Sequence, residues 1–290
     1  MPACITHYYF AEDVFSKLDN DIKNTINKTA FYWGAQGPDF LFCHRYFPWM
    51  KGRSLIEYGY KIHENKPSKI FEAMRDFLKN HDDPVYRSYI YGFCCHYALD
   101  STAHPYVNAF AYELNKDREY ETQQTLHGEI EGSLDTIILR NRDGKLPTEI
   151  NLKRFFPKNE AIQRKIAKVI KYVIFSAFNI EVEENEVLRA TNDAHFVFAL
   201  LTDRTTLKKK LFDLIEKGKP HLVSSHLLPL TETADIDYAN IQKNEWIVDN
   251  ISSDDSFFEL FDKSVLLGTD LISDFNSCNF AEITQEKPFG

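Results

Sequence analysis

The sequence predicts an all-α protein, a single multi-helix bundle domain over residues 1–290. Three observations predict it. Helix breakers are scarce, with 11 Gly and 11 Pro among 290 residues. Apolar residues recur at three- and four-residue spacing, most plainly at Ile162, Ile166, Val169, Ile170, Val173, Ile174, Ala177 and Phe178. No set of alternating strands, internal repeat or low-complexity tract is present.

The elements follow from local pattern. Phe10, Val14, Phe15 and Leu18 predict a helix over about Tyr8 to Leu18, and Asp19 to Thr29 predicts a second, short one. Gly34, Gly37 and Pro38 mark a turn before Asp39. His44 to Tyr60 is aromatic and irregular. Pro67 suits the first turn of a helix running to Leu78. Asp82-Asp83-Pro84 starts a helix that Pro105 is expected to end, because the residue before proline is pushed out of the α region. A separate helix then covers about Tyr106 to Asn115. Glu121 to Arg140 forms another, closed by Arg142-Asp143-Gly144. Asn159 to Ile180 is a long helix, and Glu184 to Lys217 is helical with a break near Asp203. Residues 220–253 lack periodicity and read as a long packed loop. Ser252 to Asp255 caps a last helix over about Ser256 to Ile272. Residues 1–145 hold the chemistry described below. Residues 146–290 complete the bundle or form a partner surface.

Composition narrows the class. A hydrophobic content of 43% with 27% charged residues describes a globular chain, and the net charge of −9 discourages nonspecific attraction to DNA or anionic lipid. No stretch approaches a transmembrane span. The five cysteines are odd in number and lack a C-x2-C pair, and no basic region followed by an apolar run opens the chain. The expectation is a reduced, cytoplasmic protein without stable membrane insertion, secreted only if a native leader precedes it. Lys208-Lys209-Lys210 reads as the solvated face of a helix.

One stretch stands out. His96, Asp100 and His104 are spaced four apart in an otherwise mostly apolar run. Each step of four advances about 40° around a helix, so the three share a face. Polar rows in apolar helices are costly to bury unless paired, and imidazole with carboxylate is a zinc-type donor set. If the helix ends at Pro105, His104 leaves its track and points at a neighbouring metal. His127 and Glu131 repeat the four-residue spacing. His7, Asp39 and His63 complete the set, all within the first 131 residues. Removal of Met1 would make Pro2 the N-terminus. Helices that each present one or two such groups are how bundles build multinuclear sites. A carboxylate such as Asp100 can bridge two metals, and two close metals can hold a water aimed at phosphorus.

The order H, G-x-x-G-P-D, H, H-x-A-L-D-S-x-x-H-P, H-x3-E resembles the zinc-dependent phospholipase C family, which is related to the zinc-dependent single-strand nucleases. The resemblance covers roughly residues 1–140. It implies an all-helical fold of that type holding three Zn2+, or two if the N-terminal site does not form. It assigns Asp39, His63, His96 and Asp100 to one zinc. Asp100 also bridges to a second, held by His7 and the N-terminal amine and carbonyl of Pro2. His104, His127 and Glu131 hold the third. Asp39 doubles as the catalytic group that orients water or acts as base. The implied activity is hydrolysis of a phospholipid or other phosphodiester. Nucleic acid enters only as an alternative substrate, since the Pro2 to His7 gap looks nuclease-like whereas Glu131 looks phospholipase-like. Two further readings stay open. His63 and His81-Asp82 allow a metal phosphohydrolase of the HD type, and the site can also be a non-catalytic zinc-binding bundle. His44, His81, His195, His221 and His226 read as structural or exposed. Phe31, Trp33, Phe42 and Tyr46 read as core, or as lining for a pocket near Asp39.

Overall fold

The computed structural model describes residues 3–47 and 49–290. Among these the protein is all-α, with twelve helices. They are α1 (Cys4–Lys17), α2 (Asn20–Lys23), α3 (Lys28–Ala35), α4 (Ile56–His63), α5 (Pro67–Asn80) and α6 (Pro84–Asp117). There follow α7 (Gln123–Asp143), α8 (Glu160–Phe178), α9 (Glu184–Leu201), α10 (Leu207–Ile215), α11 (Phe257–Ser273) and α12 (Phe280–Thr284). Short 3-10 turns lie at Asp39–Cys43 and Ser224–His226. No helix of the described residues is long and apolar enough to cross a membrane.

The central element is α6, 34 residues long and about 51 Å at 1.5 Å per residue. Asp83 caps its start by accepting from Val85 N at 2.8 Å. Tyr89 to Asp100 are all buried, and α3, α7, α8, α11 and other elements pack around the helix. This corrects the expectation that Pro105 ends it. A proline inside a helix forfeits one backbone hydrogen bond and costs about 3 kcal/mol. Burial of Ala103, Tyr106, Val107, Ala109 and Ala111 around and beyond Pro105 offsets that loss.

The contact of α3 with α6 is backbone to backbone. A Cβ on Gly34 would lie 2.0 Å from the Tyr89 carbonyl oxygen, and one on Gly92 would lie 2.0 Å from that of Phe31. Gly37 follows with φ of 55°, and a Cβ there would meet the His96 ring at 2.1 Å. The G-x-x-G spacing thus has a reason. The first glycine seats α3 on α6, and the second turns the chain tightly over His96 and delivers Asp39.

Other boundaries also differ from expectation. α1 begins at Cys4 rather than near Tyr8, because Asp135 of α7 caps it from a distance, accepting from Ile5 N at 3.2 Å, Thr6 N at 2.8 Å and Thr6 Oγ1 at 2.7 Å. The second helix is only α2, and a new one starts at Lys28 with Asn27 as cap. α4 emerges from the segment that looked irregular. Residues 220–253 are mainly loop, as the missing periodicity implies, but Trp246–Val248 pairs with Ile251–Ser253 as an antiparallel hairpin, although no strand was expected. The break after α9 falls at Thr202 to Thr206, close to the anticipated Asp203. The cap of α11 is Ser256, reciprocated by Glu259, rather than residues 252–255. Cys94 and Cys95 are buried free thiols.

Candidate metal centre

α6 presents His96, Asp100 and His104 on one face, and α1, α4, α7 and the Asp39 turn bring the other candidates to it. Three groups of donors result. His7, His96 and Asp100 form one, Asp39, His63 and His96 another, and His104, His127 and Glu131 a third, with donor atoms inside each group within 4.8 Å of one another. Pro2 lies outside the described residues, so its expected role has no structural counterpart here.

Asp100 joins the groups. Its Oδ1 lies 3.2 Å from His7 Nε2. Its Oδ2 lies 3.1 Å from His96 Nε2, 3.8 Å from His63 Nε2 and 3.9 Å from His104 Nδ1. Asp39 Oδ1 stands 3.2 Å from His63 Nε2 and 3.7 Å from His96 Nε2, and the two imidazole nitrogens are 3.4 Å apart. In the third group Glu131 Oε1 is 3.5 Å from His104 Nε2 and 3.3 Å from His127 Nε2. Tetrahedral zinc with ligands at about 2.0–2.1 Å sets ligand atoms about 3.3–3.4 Å apart. The donor spacings cluster around that edge length. A cavity of about 20 Å³ lies between His7, Asp100, His104 and Glu131, room for one ion or water. Among the described residues, His7 Nδ1 and His96 Nδ1 are buried without a hydrogen-bond partner, while the Nε2 atoms of the two rings face the carboxylates. Spacing, cavity and donor chemistry all fit zinc.

His104 does not leave the helix at Pro105, contrary to expectation. It nevertheless faces the third group, because Glu131 and His127 on α7 come up beside it. Three rings share one device. His63 Nδ1 bonds the Gly59 carbonyl at 2.8 Å, His104 Nδ1 the Phe289 carbonyl at 3.0 Å, and His127 Nδ1 the Asn108 Oδ1 at 3.0 Å. Donation from Nδ1 leaves Nε2 as the ring atom that faces the carboxylates, where it can carry a proton or, once that proton is lost, ligate a metal.

The electrostatics agree with a site built for cations. Burial would raise the Asp100 carboxyl, but His96, His104 and His7 hold it well below the usual carboxylate range. Burial acts on Asp39 in the same way and is outweighed by His96 and His63. Burial pushes His96 down to about 4 against the pull of Asp100 and Asp39, so this ring is neutral. For His104 the same burial is outweighed by Asp100 and Glu131, which lift it to about 9. His7 and His63 are raised too, burial again being overcome by Asp100 for the first and Asp39 for the second. Without metal, protons on these rings balance the buried carboxylates, and a metal must displace them.

Beside the third group lies a cleft of about 410 Å³, lined by Phe42, Tyr46, Tyr60, Asn108, His127 and His226 among others. Phe42 and Tyr46 are therefore pocket residues, whereas Phe31 and Trp33 are core. His226 lines the cleft too. His44 is buried beside Glu186. Sequence reasoning did not single out Asn108, the Gly59 carbonyl or Phe289. Phe289 is fully buried, touches the rings of His63 and His96, and donates its N–H to the His63 carbonyl at 3.1 Å. Nothing in the local pattern of Lys287-Pro288-Phe289-Gly290 announces that docking.

An all-helical chain that gathers five histidines and three carboxylates into adjoining donor groups has the makings of a multinuclear metal protein. The chain belongs to the zinc-dependent phospholipase C family, whose family model matches residues 6–180. That match extends past the roughly 140 residues in which the resemblance was read, into α8. Neither a curated protein nor a solved structure matches the chain.

Proposed function

We propose that the protein is a zinc-dependent phosphodiester hydrolase of the phospholipase C kind, with His7, Asp39, His63, His96, Asp100, His104, His127 and Glu131 as metal ligands and residues 146–290 completing one domain. The observation that carries the reading is Asp100, whose two oxygens face different histidines while a cleft opens beside His127. Bound zinc would supply Lewis-acid stabilisation of charge on the phosphoryl oxygens and a lowered pKa for water. The protein's own groups do the rest. Asp39, held ionised beside His63 and His96, takes one proton of the attacking water; the water oxygen bonds phosphorus, the bond from phosphorus to the alcohol oxygen breaks, and that oxygen takes up a proton from solvent water. Asp100 and Glu131 keep the imidazole nitrogens converged. Phe42, Tyr46 and Tyr60 offer π faces to a head-group cation, which favours a choline- or ethanolamine-type phospholipid.

The test compares wild type with Asp100→Asn, whose amide offers one acceptor oxygen instead of two. Elemental mass spectrometry is expected to find close to three zinc ions per chain in wild type and a loss of more than one in the variant. Zinc-loaded wild type is expected to release the phosphorylated head group from phosphatidylcholine or phosphatidylethanolamine. Cleavage of single-stranded DNA alone would move the assignment to the nuclease branch. Bound zinc without turnover of any diester would leave a non-catalytic zinc bundle.

A further inference from the structure

α10 is built inside out. It buries none of its residues, yet four of its nine are large and aliphatic. Leu207, Leu211, Leu214 and Ile215 are 65%, 54%, 71% and 57% exposed. At about 100° per residue these four fall within an arc of about 100°, one continuous stripe. The opposite side is the polar one, and it grips the protein. Lys209 Nζ donates to the Ser224 carbonyl at 3.1 Å. Glu216, just past the helix, is buried and accepts from Val223 N at 2.9 Å, Ser224 N at 3.0 Å and Ser224 Oγ at 2.6 Å. An amphipathic helix ordinarily does the reverse. Leu222 and Val223 extend the apolar surface beyond the helix.

The borders of the stripe are basic. Lys208 and Lys210 flank it on either side by the same helical arithmetic, although the Lys208 ammonium donates to the Leu200 and Thr202 carbonyls at 2.7 and 2.9 Å, and Lys217 and Lys219 follow its end. Residues 204–219 hold six basic and two acidic side chains, in a chain whose net charge is −9. An aliphatic stripe bordered by lysines complements the interface of an anionic bilayer, where the leucines enter the acyl boundary and the ammonium groups meet phosphate. The helix is also tied to the candidate site. The turn it grips, Ser224–His226, ends in a residue that lines the cleft next to His127.

We propose that α10 with residues 217–223 docks the protein on an anionic lipid surface. The choice of a lipid surface rests on the phospholipid reading above, while the exposed stripe stands on its own. The test uses zinc-loaded full-length wild type and the double variant Leu211→Asp/Leu214→Asp, whose substitutions lie at exposed positions. Both are pelleted with phosphatidylglycerol–phosphatidylcholine vesicles and with pure phosphatidylcholine vesicles, and both are assayed on a soluble chromogenic phosphodiester. Expected is binding of wild type to the anionic vesicles, weakened by salt and reduced at least tenfold in the variant, with equal turnover of the soluble diester. Vesicle binding that the variant loses, without turnover of any diester, would sustain the docking surface and defeat the hydrolase assignment. Wild type that stays in solution with anionic vesicles overturns the proposal. So does a wild-type dimer in sedimentation velocity that the variant converts to monomer, because a second copy would then own the stripe.

Discussion

The outward bonds of three imidazoles decide what their inner nitrogens can do. His127 depends on Asn108, a side chain that can be altered without touching a donor to the site. Asn108→Ala is expected to weaken metal binding at the His104, His127 and Glu131 group by about 10- to 100-fold, the usual cost of losing an outer partner. Asn108→Asp, which keeps the acceptor, is expected to restore most of it. Competition with a chromogenic chelator reads both. His104 yields a pH prediction. Its folded value near 9 exceeds the ordinary 6.5, so its contribution to stability in metal-stripped protein is complete below pH 6.5 and vanishes as pH climbs through 9. Asp100, depressed, works oppositely. Its contribution is present above its ordinary 3.8 and is lost on acidification. Zinc competes with protons for the same nitrogens, so its stabilisation grows with pH. Scanning fluorimetry between pH 6.5 and 9 is expected to show a falling Tm without zinc and a widening gap to the zinc-loaded protein. Parallel curves would refute this account. Five of the candidate side chains stood out because histidine and carboxylate recur four apart at His96, Asp100 and His104 and at His127 and Glu131, while His7, Asp39 and His63 have no such spacing and took their roles from the resemblance. Their partners at Gly59 and Phe289 were not readable in the sequence, since a backbone carbonyl leaves no letter behind.

Helices in this chain end where tertiary contacts allow, which is why the pattern located most of them and misplaced several boundaries. Pro105 looked like a stop because local sterics say so, and packing along α6 overrode them. The true start of α1 depends on Asp135, about 130 positions away in sequence, and no window could contain it. The α3–α6 crossing offers a sharp test. Gly92→Ala puts a Cβ where the Phe31 carbonyl already sits, so the helices must part. Overpacking of this kind costs about 1–3 kcal/mol or more. Gly132→Ala in α7 meets nothing closer than 3.6 Å, and there the better helix former is expected to be neutral or to stabilise by up to about 1 kcal/mol. Thermal unfolding of the two variants, expected to shift in opposite directions or only in the first, checks the crossing.

Across the molecule, the sequence pointed to an all-helical chain with its chemistry in the first half, and the family match agrees with the class. Besides α12 and the docking of Phe289, two features of the second half escaped it. The hairpin at 246–253 is too short for an alternating pattern to register. α10 was read as an ordinary solvated helix because its lysine run was noticed and the direction of its leucines was not knowable before the fold. The second omission concerns which face an element shows, a property of neighbours rather than of residue order.

The contact of Gly34 and Gly92 also limits how the centre can open. Where Gly34 meets Gly92, main chain lies on main chain with no side chain between, so that point of the seam cannot yield by a change of rotamer. The segment around Phe289 joins α4 and α6 at the site by two hydrogen bonds, from Phe289 N–H to the His63 carbonyl and from His104 Nδ1 to the Phe289 carbonyl, with the Phe289 ring buried against His63, His96 and Tyr97. Hydrogen exchange should grade accordingly, slowest at the amides of Gly92 to His96 and faster by orders of magnitude at Phe289, with bound phosphate slowing only the second. The helix carrying three of the candidate ligands would then keep still, and movement at the site would fall to the chain around Phe289.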